Sequence, residues 1–282
     1  MPPEAMRRAA DPRVVAGAVL LGVAVLVAAL APVVAPVHPA AQHDVVATRF
    51  LRPFATDVHG VFHLLGTDRL GRDVWSRLAY GARVSLGVGA LAVLLSVLIG
   101  VGVGTVAGLA RRPIATLLLG ITDFALALPR VVLLLLLAAL WSPSMALVIL
   151  VLGATGWMTI ARLVHAEVRA LLARPFVEAA LALGATPRRL LLRHLVPNVV
   201  TPVIVAAALG VGNAILLEAG LSFLGMGVQP PAPSWGNMIA SGRDALVNAP
   251  WVAAAPGVAL VLVVIACTLL GDALQERLGA AR

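Results

Sequence analysis

The stretch Ser85–Ala110, SLGVGALAVLLSVLIGVGVGTVAGLA, contains no charged residue and no proline. A helix crosses a hydrocarbon core of about 30 Å with roughly 20 apolar residues, because every backbone polar group must be satisfied inside the segment. Ser85–Ala110 meets that requirement alone, so the chain enters a membrane. Working outward, comparable runs occur at Val14–Ala31, Ile114–Leu140, Met145–Ala161, Val199–Leu217 and Trp251–Leu270. The third run is interrupted by Asp123, Pro129 and Arg130, and a Ser142-Pro143-Ser144 turn separates it from the fourth. Val14–Ala31, behind Arg7, Arg8 and Arg13 and ending near Ala29, Ala31 and Ala35, has features of a secretory leader. Its apolar run is longer than the roughly 7 to 15 residues of a leader core, so a retained first span is expected. Gly100, Gly104 and Gly108 fall on one helical face and allow another helix of the same chain to approach closely. The expected fold class is all-α: a polytopic membrane protein with six transmembrane helices and both termini on one side.

Composition agrees. Of 282 residues, 61% are apolar and 12% charged, with a mean hydropathy of +1.00, whereas soluble domains carry about 25% charged residues. All 21 basic residues are arginine; against 13 acids they give a net charge of +8. These arginines punctuate long uncharged runs instead of clustering on one solvated face, which argues for membrane orientation and against nucleic acid. One predicted side holds thirteen arginines, including Arg111, Arg112 and the six between Arg162 and Arg193; the other holds seven. The richer side, with both termini, is expected in the cytoplasm of an inner-membrane protein. Trp75, Trp141, Trp157, Trp235 and Trp251 fall near predicted span ends, where indole rings prefer to sit. A single cysteine, Cys267, excludes an intrachain disulfide. The chain has no lysine, which a P-loop needs on its phosphates. If ATP powers this protein, another chain hydrolyses it.

Two polar segments stand out. Leu65–Arg77 reads as a surface helix capped by Thr67 or Asp68, with Leu70, Val74 and Leu78 on one face and an Arg69, Asp73, Arg77 ladder on another. Arg162–Pro197 is far longer than a hairpin between helices requires. Phe176, Val177, Ala180, Leu181 and Leu183 sit near helical spacing, and Gly184 suits a left-handed terminus. Thr186 then caps a second helix with Pro187 at its first position, and Pro197 is expected to stop it. Such a helix either docks onto a partner or folds back on the chain's own spans.

The run Glu178-Ala179-Ala180-Leu181-Ala182-Leu183-Gly184-Ala185, followed by His194-Leu195-Val196-Pro197-Asn198, resembles the cytoplasmic EAA loop of ABC-importer permeases. Gly66-Thr67-Asp68, Gly71-Arg72-Asp73 and Gly81 to Leu86 are similar to the segment before the second span in the C-type subunit of dipeptide and oligopeptide importers. Glu218-Ala219-Gly220-Leu221-Ser222-Phe223-Leu224-Gly225, continued by Pro230 to Gly236, matches the same subunit. Arg130 departs from the pattern, standing where an apolar or small residue is expected. The resemblance covers about residues 10–277 and implies a permease of a binding-protein-dependent importer. Residues 1–84 would hold the tail, first span and periplasmic segment, and residues 85–282 a five-helix core with the loop at 162–198. Phe176, Glu178, Ala179, Ala180, Leu183, Gly184 and Ala185 would form the coupling helix. Implied partners are a second, homologous permease, two ABC ATPase subunits that use ATP and Mg, a periplasmic or lipid-anchored solute-binding protein, and lipid. No cofactor is expected on this chain. Nickel importers share these motifs, so peptide and nickel both remain open as cargo.

A charge inside a membrane costs several kcal/mol unless it finds a partner or a wet cavity. Asp123 and Arg130, seven residues apart, either pair across Pro129 or face a translocation path; Glu218 is expected at the outer end of its span, within reach of water. These three are the path candidates. An ion-coupled secondary transporter using Asp123 and Glu218, and a scaffold that moves no cargo, are the other readings. His59 and His63 have a helical metal-binding spacing, but Gly60 between them argues against a site. No catalytic constellation is legible, so no enzyme is expected.

Overall fold

The computed structural model describes residues 11–42 and 44–279. Arg7, Arg8 and Arg282, with the side chains of Glu178, Leu181, Pro187, Arg188 and His194, lie outside the described residues.

Helix α1 (Pro12–Ala29) is started by Asp11, whose carboxylate accepts the Arg13 N–H at 2.9 Å. Two short helices follow, α2 (Ala31–Val34) and α3 (Val45–Thr48), then an antiparallel pair, β1 (Ala55–Thr56) and β2 (Phe62–His63). Helix α4 (Val74–Leu109) has 36 residues, about 54 Å at 1.5 Å per residue, longer than a bilayer core. It therefore begins well outside the predicted second span. The surface helix expected at Leu65–Arg77 does not form: Gly66 and Gly71 adopt φ of +72° and +71°, Thr67 and Asp73 bridge across a turn, and Asp73 caps α4. Thr67 and Asp68 cap nothing; they are held inside that turn.

Helices α5 (Arg112–Ala127) and α6 (Arg130–Leu140) make the predicted third span a broken one, bent by 86°. The cause is Pro129. Its ring drives the preceding Leu128 out of the helical region, to φ −73° and ψ 132°. Helix α7 (Met145–Leu172) runs eleven residues past its predicted end, which places Trp157 near its middle and not at an interface. After α8 (Pro175–Ala182) and α9 (Pro187–Leu190), a π-helical turn at Leu191–Leu195 leads into α10 (Val196–Phe223) without leaving helical geometry. Pro197 thus does not stop a helix. It occupies the first turn of α10, where a missing N–H is harmless. Helix α11 (Trp235–Gly242), closed by a capping box between Ser234 and Asn237, and α12 (Trp251–Gly279) complete the chain.

Among the described residues five helices are long and apolar enough to span a membrane, six if the bent pair counts as one. Helices α1 and α12 pack together: Arg13 pairs with Glu276 at 3.1 Å, and α12 presses Leu270 and Ala266 onto Gly17. The glycine stripe packs inside the chain as expected. A β-carbon on Gly100, Gly104 or Gly108 would come within 2.5–2.7 Å of α7, against the Trp157 and Ala161 carbonyls and Val168.

Candidate functional site

Four places carry the predicted residues. The first is the α8 turn. Leu183 N–H bonds the Ala179 carbonyl and Ala185 N–H the Ala180 carbonyl, each at 3.0 Å, while Gly184 takes φ +81°. This closure satisfies carbonyls left open at the end of α8. The Thr186 hydroxyl then accepts the Arg189 N–H at 3.3 Å to start α9. Val177 is fully buried, packed with Val168, Leu171, Leu190, Leu195 and Val199. Phe176 is 41% exposed and Leu183 89%; Ala179 and Gly184 are exposed, Ala180 and Ala185 half-buried. The helix is therefore both folded back and offered outward: Val177 pins one side while Phe176 and Leu183 present the other.

At the opposite end of the bundle, the motif residues Gly66 to Asp73 build a buried polar core. Asp68 receives Arg72 Nε and Nη2, both at 2.7 Å, and Arg77 Nε lies 3.7 Å away. Its other oxygen accepts the Leu70 and Arg72 N–H groups. Asp73 accepts the Ser76 N–H at 2.6 Å and bonds His63 Nδ1 at 2.8 Å. His63 Nε2 lies 3.4 Å from Asp57, so this histidine is clasped between carboxylates. The Thr67 hydroxyl accepts the Leu51 N–H and donates to the Thr48 carbonyl, and Trp251 Nε1 reaches the Thr67 carbonyl at 3.3 Å. The predicted Arg69, Asp73, Arg77 ladder is absent: Arg69 is exposed, and Arg77 turns to Asp68 and the Pro39 carbonyl. Asp57 is outside the spans. Burial raises its pKa, but N–H bonds from Val61 and His59, together with His63, outweigh this and hold it below the ordinary value.

Glu218 contradicts its expected place in water. It is fully buried, within α10, in a cage of hydroxyls. Ser85 donates to Oε2 at 3.1 Å and Ser222 to Oε1 at 2.6 Å. Each hydroxyl also accepts a backbone N–H at 3.1 Å, Ser85 from Trp235 and Ser222 from Val228. The carboxylate thus joins α4, α10 and the segment entering α11. The sequence named Glu218 but not its serine partners, of which Ser85 lies 133 residues away.

Asp123 and Arg130 do not pair. The 86° bend separates them, and Asp123 instead lies 3.6 Å from Arg162, both largely exposed. Arg130 turns inward, its Nη2 3.4 Å from where a β-carbon on Gly156 would stand. Among the described residues, no group of three potential metal ligands converges.

Apolar spans around a tight α4–α7 pair, one sharply broken span, and a short capped helix anchored by Val177 make this a polytopic membrane-protein bundle. Solved structures share this fold. The methionine ABC transporter MetNI in inward-facing conformations aligns with a TM-score of 0.58 and 22% identity, covering 71% of this chain and 95% of that one. The crystal structure of an amino acid ABC transporter with histidines aligns at 0.56 and 16%, covering 71% and 94%. The chain belongs to the family of binding-protein-dependent transport system inner membrane components, whose model matches residues 100–281. A putative peptide transport system permease protein of Brucella suis is 39% identical over 260 residues, 92% of this chain and 85% of the relative. The di/tripeptide transport system permease protein DppC of Pseudomonas aeruginosa is 38% identical over 255 residues, 90% and 83%. The protein is the permease subunit of an ABC importer.

Proposed function

We propose that this permease moves di- or oligopeptides across the cytoplasmic membrane by alternating access, with the chain ends and α8 in the cytoplasm. Relatives named as peptide permeases favour peptide over nickel. The observation that carries the mechanism is the divided helix: Val177 buried in the α7–α10 core, Phe176 and Leu183 outward. An exposed apolar residue on a capped helix suits a groove on another protein. Phe176, Glu178, Ala179, Ala180, Leu183, Gly184 and Ala185 form the contact surface for an ATPase subunit. Two such subunits bind ATP with Mg, and their differential affinity for two states of the assembly supplies the energy. A second, homologous permease completes the path, and a solute-binding protein delivers cargo at the other face. On this reading the buried Gly66 to Asp73 core and the Glu218 cage hold that outer face in shape, Asp123 marks the cytoplasmic edge, and Arg130 faces the path.

The test is ATP-dependent accumulation of a labelled dipeptide by the whole assembly in liposomes, with wild type and Leu183→Asp. Leu183 is exposed, so the variant should fold normally, lose ATPase subunits on co-purification, and cease uptake. Uptake by this chain alone without ATP would instead support an ion-coupled transporter.

A further inference from the structure

Arg130 is in the first turn of α6, where the amide ends already carry positive partial charge. Its Nε is fully shielded and, among the described residues, meets no acceptor. A guanidinium in such a place is costly unless an anion or water joins it. None of the three acids on the neighbouring helices serves: Asp123 is beside Arg162, Glu218 is enclosed by Ser85 and Ser222, and Glu167 stands three turns along α7 from Gly156, about 16 Å at 1.5 Å per residue. Arg130 borders a cavity of about 150 Å³ between α4, α7 and α10. Its polar lining comes from Ser96, Thr159 and Asn213, one from each helix; the other walls are small or apolar, among them Gly156 and Gly210. The Ser96 hydroxyl is spent on the Gly153 carbonyl, whereas the side chains of Thr159 and Asn213, both exposed, form no hydrogen bond among the described residues. A fixed cation beside two unspent polar groups is the donor set of a carboxylate site.

Depth decides between sources of anion. Ser96 and Gly156 each lie eleven residues inside the outer ends of their predicted spans, Ser85 and Met145, about 16 Å at 1.5 Å per residue. Lipid phosphates stay at the interface, half a bilayer away. The volume accommodates a carboxylate with a few attached atoms and not a whole peptide. We infer that Arg130, with Thr159 and Asn213, forms a mid-membrane station that holds the carboxylate end of a solute in transit. The carboxylate requirement is independent of cargo identity; assigning it to a peptide C-terminus rests on the proposed function.

Two measurements separate these claims. In a Cys267→Ser background, Thr159→Cys places a thiol on the cavity wall, and the purified chain is labelled with a sulfonate-bearing or a trimethylammonium-bearing methanethiosulfonate. A focused positive field should favour the anionic reagent by roughly tenfold. Arg130→Met should bring the ratio near unity and Arg130→Lys should keep it. A ratio indifferent to residue 130 overturns the site. A ratio kept by the isolated chain but abolished when the second permease is present hands Arg130 to a partner carboxylate and equally overturns the proposal. In the assembled importer, Arg130→Met should cut uptake of Ala-Ala at least roughly tenfold, leave uptake of the cationic Ala-Ala amide undiminished, and leave ATP hydrolysis intact. Equal effects on acid and amide refute a cargo-carboxylate role. If the labelling ratio follows Arg130 while neither peptide accumulates in wild type, the anion site stands and the peptide reading falls.

Discussion

Gly104→Ala tests the tight α4–α7 pair directly. A β-carbon there would lie 2.5 Å from the Ala161 carbonyl oxygen and 2.7 Å from Val164 Cβ, where ordinary contact begins at 3.4 Å. The helices must therefore separate locally by about 0.9 Å, the difference between 3.4 and 2.5 Å. Neither neighbour can rotate away, since one is backbone and the other is fixed to it. Overpacking of this kind costs about 1–3 kcal/mol, and two rigid contacts put Gly104 at the upper end. Alanine also gains about 0.5–1 kcal/mol over glycine within a helix. Gly102, two residues away with nothing within 4 Å of its β-carbon position, receives that gain without the collision. Subtracting one variant from the other removes the propensity term and leaves the steric one, about 3 kcal/mol. Unfolding in mixed micelles by increasing SDS fraction, extrapolated linearly, measures both. If Gly104→Ala and Gly102→Ala differ by less than about 0.5 kcal/mol, the close packing of α4 on α7 is wrong.

Three further outcomes follow from the polar sites. Glu218→Ala strips the Ser85 and Ser222 hydroxyls of their acceptor and should destabilise by about 2–4 kcal/mol; in a double-mutant cycle with Ser85→Ala the two should couple by more than about 0.5 kcal/mol. Because the folded pKa of Asp57 is depressed, its stabilisation is complete above the unfolded carboxylate value of about 3.9 and is lost as pH falls through the lower folded value; thermal melts from acid to neutral pH should show a steeper acid loss in wild type than in Asp57→Asn. Asp123→Asn should change stability by less than about 0.5 kcal/mol, measured by the same SDS unfolding, because its partnership with Arg162 is largely exposed.

The spans were readable because apolar length alone decides whether a segment can cross a bilayer. Their ends were not, for reasons that differ from helix to helix. Asp73 caps α4 from within a polar stretch, so hydropathy truncates the helix at Ser85. The continuation of α7 past Ala161 carries Arg162 and Arg169, whose long side chains reach water while the backbone stays helical. Pro129 announced a break, but its 86° angle depends on what α6 packs against. Pro197 misled because proline ends a helix and begins one equally well, and only the π-turn before it resolves which. The Gly184 terminus was legible since a local backbone requirement selects glycine there. The Glu218 cage was not, because serines such as Ser85 and Ser222 carry no mark of the partner that folding brings.

These features bear on how a push at one end could reach the other. Val177 belongs to the same buried cluster as Ile160, Val164 and Val168 of α7 and Val199 and Val203 of α10, so displacing α8 loads both helices at once. Helix α7 cannot yield alone, because glycines seat α4 against its backbone. Close-packed cores deform little and tend to move as units. At the far end Glu218 ties α10 to α4 and to the start of α11, while Asp73 fixes α4 to His63. A load applied at α8 is thus delivered to a body clamped at its opposite end. The polar cavity at Arg130 lies between those points, where α4, α7 and α10 meet, so a rotation of any one of the three against the others changes its shape.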